Sequence, residues 1–298
     1  MTTVLTTAAP RPSFWQSSFV QHVIGITRHS PTFTAGVVIV LIFTVVAIIA
    51  PLLAPYPPTR TFPDAVLSGP TAAHWFGTDG NGMDVFSRVL YGCRYAFGIA
   101  IPALLLMLII GVPAGLVAGY VGGLVDDLLL RTFDIFRAFP TIVLALAVVA
   151  ATGQSLIIVV IVLGFLEAPI FARIVRAEVL ALRSSELVES AVVIGNPTWR
   201  ILLMHILPNS IRGATAQCAV RMAWAIRVST TLAFIGVGIQ APAPEWGVMI
   251  RQGAEYINTG EWWIATFPGL ALVGLVLGLN LLGDGAQELL DPKGRDSR

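Results

Sequence analysis

The chain has 298 residues, 56% of them hydrophobic and only 12% charged, with a mean hydropathy of +0.81 and a formal net charge of +1. Soluble domains carry roughly 25% charge, so this composition describes an integral membrane protein, and the near-neutral balance gives no reason to expect nucleic acid as a partner. The single lysine, Lys293, is followed by Gly294, so the chain lacks the Gly-Lys-Ser/Thr of a phosphate-binding P-loop and is not an ATPase of that class.

A bilayer core about 30 Å thick needs about 20 mostly apolar residues per helix. Six such spans are expected, at residues 33–55, 95–120, 126–152, 155–176, 206–236 and 264–284. The first follows a polar segment, residues 1–32, and is too long for a signal-peptide core, so it is expected to remain as a span. If the N-terminus is cytoplasmic, the connections on that side carry twelve basic residues against four on the other, Arg60, Arg88, Arg94 and Arg251. That bias puts both termini, including the tail 285–298, in the cytoplasm.

Between the first two spans, the segment 56–94 opens with "PYPPTRTFPD", whose prolines favour an extended lead-out. In the third span Pro140 predicts a kink. Asp127 and Asp134 each fall at helical pairing distance from Arg131. The segment 177–205 interrupts the apolar sequence. Ser184 or Ser185 is placed to cap a helix there, Gly195 to stop it and Pro197 to prevent its continuation. Leu187, Ala191 and Ile194 repeat at i, i+4, i+7 along one face. At about ten residues this helix is too short to span. Periodicity leaves two readings open, a helix floating on the membrane surface and a helix docked in a groove of a soluble partner.

The segment 237–263 begins Pro-rich and ends Trp-rich. Trp246, Tyr256, Trp262 and Trp263 suit the headgroup level, and a short interfacial helix is expected among them. Within the spans stand Glu167, Gln217, Arg221 and Arg227. Ionisable groups inside a membrane are functional candidates by default, the alternative being snorkelling or mutual pairing. Cys93 and Cys218 lie far apart and read as packing residues, and the scattered His22, His29, His74 and His205 offer no metal-ligand spacing.

"ELVESAVVIGNPTWRILLMHILPN" resembles the cytoplasmic loop of permease subunits of bacterial ATP-binding-cassette importers, with Glu189, Ser190, Ala191, Gly195, Ile206, Leu207 and Pro208 at the recurring positions. "HWFGTDGNGMDVFSRVLYG", "GLVAGYVGGLVDD", "APAPEWGVMI", "WWIATFPGLALV" and "LNLLGDGAQELLDPK" extend the resemblance along the chain. They narrow it to the second permease of dipeptide and oligopeptide importers, a subfamily that also includes nickel, glutathione and opine systems. The resemblance implies an all-α fold of six spans. Leu187, Glu189, Ser190, Ala191, Ile194 and Gly195 would form a coupling helix in a cleft of an ATP-binding subunit.

It also implies a homologous second permease, two ATP-binding subunits holding ATP and magnesium, and an extracytoplasmic substrate-binding protein. The chain itself would hold no cofactor and no metal. Glu167, Gln217, Arg221 and Arg227 become candidates for the translocation path, and Asp79, Asp84 and Arg88, which match the family pattern, for docking the binding protein or for ordering their loop. Met83 departs from the pattern, where an arginine is usual. An ion-coupled secondary transporter predicts inverted repeats, which are not evident. An intramembrane enzyme needs a paired catalytic set that no span offers, and a channel needs a filter-like repeat that is not seen.

Overall fold

The computed structural model describes residues 30–290. Most of the expected N-terminal segment and the basic end of the expected tail lie outside the described residues. The architecture is all-helical: α1 (Pro31–Leu53), α2 (Val85–Val121), α3 (Gly123–Arg137), α4 (Thr141–Thr152), α5 (Leu156–Leu182), α6 (Glu186–Val193), α7 (Leu207–Ile235), α8 (Trp246–Ala254) and α9 (Trp263–Leu290). Among the described residues five helices are long and apolar enough to cross a membrane, α1, α2, α5, α9 and the Gly213–Ile235 stretch of α7. The pair α3–α4 makes a sixth if it is one broken span.

Three boundaries differ from the sequence expectation, each for a chemical reason. α2 starts at Val85 rather than near residue 95, because the Asp84 carboxylate accepts the Ser87 N–H and caps the helix. α5 runs on to Leu182 rather than stopping near residue 176. Arg176 grips Asp126 of α3 with two hydrogen bonds, and Arg173 pairs with Asp134. Asp126 and Asp134 are therefore satisfied from α5 rather than from their own helix. The third expected span is broken rather than kinked: α3 and α4 meet at 82° around Phe139 and Pro140, where proline removes a ladder N–H.

The backbones of α2 and α5 approach most closely. Gly111, Gly115 and Gly119, one turn apart, face Ala168, Ala172, Val175 and Val179, and a β-carbon at any of the three would overlap α5. Small residues at such spacing let membrane helices pack by van der Waals contact where lipid offers no hydrophobic drive.

Two apolar cores result. One lies among α2, α5 and α7 and reaches α4 and α6, with Leu163, Phe171 and Leu232 fully buried. The other joins α1, the start of α2, α7, α8 and α9 around Trp246. α7 belongs to both, with α6 at its beginning and the segment 236–262 at its end. That segment and residues 54–84 fold together as a cap over one end of the bundle.

Candidate functional site

At the start of α7 the chain forms a small, well-defined feature. α6 runs eight residues and ends as the sequence predicts: Gly195 adopts φ +84°, its N–H donates to the Val192 carbonyl, and the Asn196 N–H donates to the Ala191 carbonyl. These two bonds close the last turn in the manner of a glycine-terminated helix. Pro197 then redirects the chain into a single turn, Thr198–Arg200, and a widened π-helical segment, Ile201–Ile206. Pro208, which has no N–H to return to the preceding turn, follows. Ser185 occupies the N-cap position, but its hydroxyl makes no capping bond and is buried without a partner.

The faces of α6 divide differently from the expectation. Val188 and Ala191 are buried against the bundle core that includes Ile201 and Ile206. Leu187 and Ile194 do share a face with Ala191, and together with Glu186, Ser190, Asn196 and His205 they line a shallow open cleft. Ala191 is its floor, however, at 4% exposure, so it is an anchor rather than a contact point. The residues that stand out are Leu187, Val192, Val193 and Ile194, the last two 86% and 79% exposed. Glu189 is exposed, and the Ser190 hydroxyl donates to the Glu186 carbonyl. Val192 and Val193 escaped the periodicity reading because they fall off the i, i+4, i+7 stripe.

Inside the bundle the structure brings three of the four polar candidates together. Arg221 donates from Nη1 to Glu167 Oε2 at 2.9 Å and from Nη2 to Gln217 Oε1 at 3.4 Å. Glu167 is buried and Arg221 partly so. Removing one member of such a pair leaves an uncompensated charge at a cost of about 3–5 kcal/mol. Arg227 is apart from this group and exposed, with no partner for its guanidinium among the described residues.

The cap corrects the third set of candidates. Asp79, Asp84 and Arg88 are all at most 3% exposed, which leaves no surface for a docking protein. They are instead the internal fastenings of the loop. Asp79 Oδ1 accepts the N–H groups of Asn81 and Met83, and Asp84 Oδ1 lies 2.8 Å from His74 Nδ1. Arg88 donates to the carbonyls of Pro58 and Pro242, with Nε 3.5 Å from Asp79 Oδ2, and so ties the two cap segments together.

Trp246, expected at the headgroups, is 1% exposed. It lies over Gly92, where a β-carbon would collide with the indole, and donates to the Val89 carbonyl. Trp263 likewise donates to the Thr78 carbonyl. The expected short helix is α8. Glu245 caps it through the Val248 N–H at 2.9 Å and receives the Thr230 hydroxyl of α7. Burial pushes the Glu245 carboxyl up from its ordinary range, opposed by the bonds from Val248, Gly247 and Thr230. Sequence reasoning missed Glu245; its place three residues before Val248, after a Pro-rich start, was the available signal.

Residues 111–296 match the binding-protein-dependent transport system inner membrane component family, and residues 18–70 match the N-terminal TM domain of oligopeptide transport permease C. The chain belongs to this family of transport permeases. The permease is 40% identical to the dipeptide transport system permease protein DppC of Alkalihalophilus pseudofirmus, over 94% of this chain and 90% of that one. It is 38% identical to the glutathione transport system permease protein GsiD of Pectobacterium atrosepticum, over 95% and 91%. Among solved structures, the inward-facing MetNI methionine ABC transporter matches with a TM-score of 0.54 at 20% identity, covering 68% of this chain and 94% of that one, a likeness of fold.

The protein is thus the multi-pass inner-membrane permease of a binding-protein-dependent ABC transport system. ATP hydrolysis belongs to partner subunits of such a system. Among the described residues of the permease no group of three or more His, Cys, Asp or Glu is arranged to hold a metal ion.

Proposed function

We propose that this permease pairs with a homologous second permease to import di- or oligopeptides, or a related peptide-like solute such as glutathione, and that two ATP-binding subunits with ATP and magnesium drive it through α6. The observation that carries this reading is the division of α6 itself. Val188 and Ala191 fasten the helix to its own bundle, while Leu187, Val192, Val193 and Ile194 stand exposed beside the acidic Glu186 and Glu189. An exposed apolar face on an eight-residue helix with a rigid stop suits insertion into a groove, and its carboxylates suit a cationic rim.

The peptide-like substrate class rests on the relatives, whose names refer to dipeptide and glutathione transport. It also rests on the polar group Glu167, Gln217 and Arg221, whose paired charges suit a path for zwitterions. With α6 and the arginine-rich connections in the cytoplasm, the cap lies outside, and a binding protein would meet exposed groups such as Arg60, Trp75, Ile257 and Trp262.

Cysteines at Val193 and Ile194 test the coupling role in the assembled complex. Both are expected to crosslink to an ATP-binding subunit, and Ile194→Glu is expected to lower ATP-driven uptake more than tenfold while the complex still assembles. Undiminished uptake by an assembled Ile194→Glu complex would overturn the assignment.

A further inference from the structure

We infer that Arg227 is a charge-selective station on the translocation path, one that favours solutes bearing a free carboxylate over cationic ones; this rests on reading the polar residues of α7 as path lining. The spanning stretch Gly213–Ile235 contains two charges, Arg221 and Arg227. Arg221 is compensated by Glu167 at 2.9 Å, and its other Nη reaches Gln217. Arg227 lies six residues further along, about 9 Å at 1.5 Å per residue, exposed and with no partner among the described residues. The pair cancels and Arg227 remains, so the spanning stretch of α7 carries one positive charge that the described residues do not compensate.

Three surroundings are open to that guanidinium: lipid, a neighbouring protein, or water. Lipid costs roughly 2.5–3.5 kcal/mol for a central arginine even on insertion scales. Snorkelling does not remove this cost, because Ile235, the end of the span, is eight residues and about 12 Å away along the axis. At 100° per residue Arg227 lies about 120° round the helix from Arg221, with Gln217 and Thr231 between them but also Val220, Trp224 and Val228. Water is the surrounding that its exposure and the reading of α7 as path lining together give. A fixed cation in a narrow, low-dielectric aqueous passage concentrates anionic groups and repels ammonium groups. Its free donors match a carboxylate.

The test uses the complex assembled with its partner subunits in proteoliposomes. Cys218→Ala leaves Cys93, which is buried, as the remaining native thiol. A reporter is introduced as Thr231→Cys, one turn from Arg227, or as Phe234→Cys, two turns from it on the same side of the helix and 45% exposed. Both are challenged with two membrane-impermeant thiol reagents of similar size, an anionic sulfonatoethyl and a cationic trimethylammonioethyl methanethiosulfonate. Relative to free cysteine, the anionic reagent is expected to react at least about tenfold faster than the cationic one. That preference is expected to fall to near unity with Arg227→Gln and to return with Arg227→Lys.

Reaction at either reporter without charge preference overturns the selectivity inference and leaves the path reading intact. No reaction at either reporter, in complexes shown to be assembled, overturns the path reading and the inference with it.

Discussion

The two ends of α7 solve opposite problems. In the cap, Asp79, Asp84 and Arg88 are buried and turned inward, held by loop N–H groups, His74 and proline carbonyls. At α6, apolar residues are exposed, and only Val188 and Ala191 face the bundle. Charge in the cap therefore reports architecture, whereas bare hydrocarbon at α6 reports a missing neighbour. Residue type alone left docking and loop ordering both open for Asp79, Asp84 and Arg88; their burial favours the second.

Effects on stability should separate the two ends, and the largest belongs to the cap. Arg88→Ala removes the cation beside the buried Asp79 and the donor to two proline carbonyls and is expected to cost about 3–5 kcal/mol, read as a collapse in the yield of detergent-stable protein. Gly92→Val should come close to it, because the new side chain displaces Trp246 from Val89; loss of the Trp246 fluorescence signature alongside a lowered melting temperature would register it.

Glu245 gives a smaller effect with a definite sign. Its carboxyl is held above the ordinary value by burial, so the folded protein keeps the proton longer than the unfolded chain does. Its contribution is full below the unfolded pKa and is lost as pH rises through the folded one. Melting temperature should fall with rising pH across that window, and Glu245→Gln should flatten the dependence. A steeper profile in the variant would contradict the bond pattern around Thr230 and Val248.

Least affected should be α6. Val193→Ser is expected to stay within about 0.5 kcal/mol of the parent in thermal melts, while ATP-driven uptake drops several-fold. Equal losses of stability and uptake would erase the contrast between the two ends.

Much of this fold was legible in sequence because the apolar length of a span is a direct consequence of bilayer thickness. Gly195 and Pro197 likewise mark a helix stop by backbone chemistry alone, and φ +84° at Gly195 agrees. What was illegible depended on partners distant in sequence. Asp134 read as a partner of Arg131 on its own helix, whereas Arg173 of α5 pairs with it. Trp246 read as an interfacial aromatic until Gly92, 154 positions earlier, gave it a seat. At α6 the periodicity put Leu187, Ala191 and Ile194 on one face, but it did not tell the buried Ala191 from the exposed Ile194.

The glycines of α2 carry a mechanical implication. Gly111, Gly115 and Gly119 are three notches one turn apart, each filled by the neighbouring backbone. Helices meshed this way do not slide gradually; the next register lies four residues away, about 6 Å along the axis. Between those settings α2 and α5 are locked in one register by backbone contact.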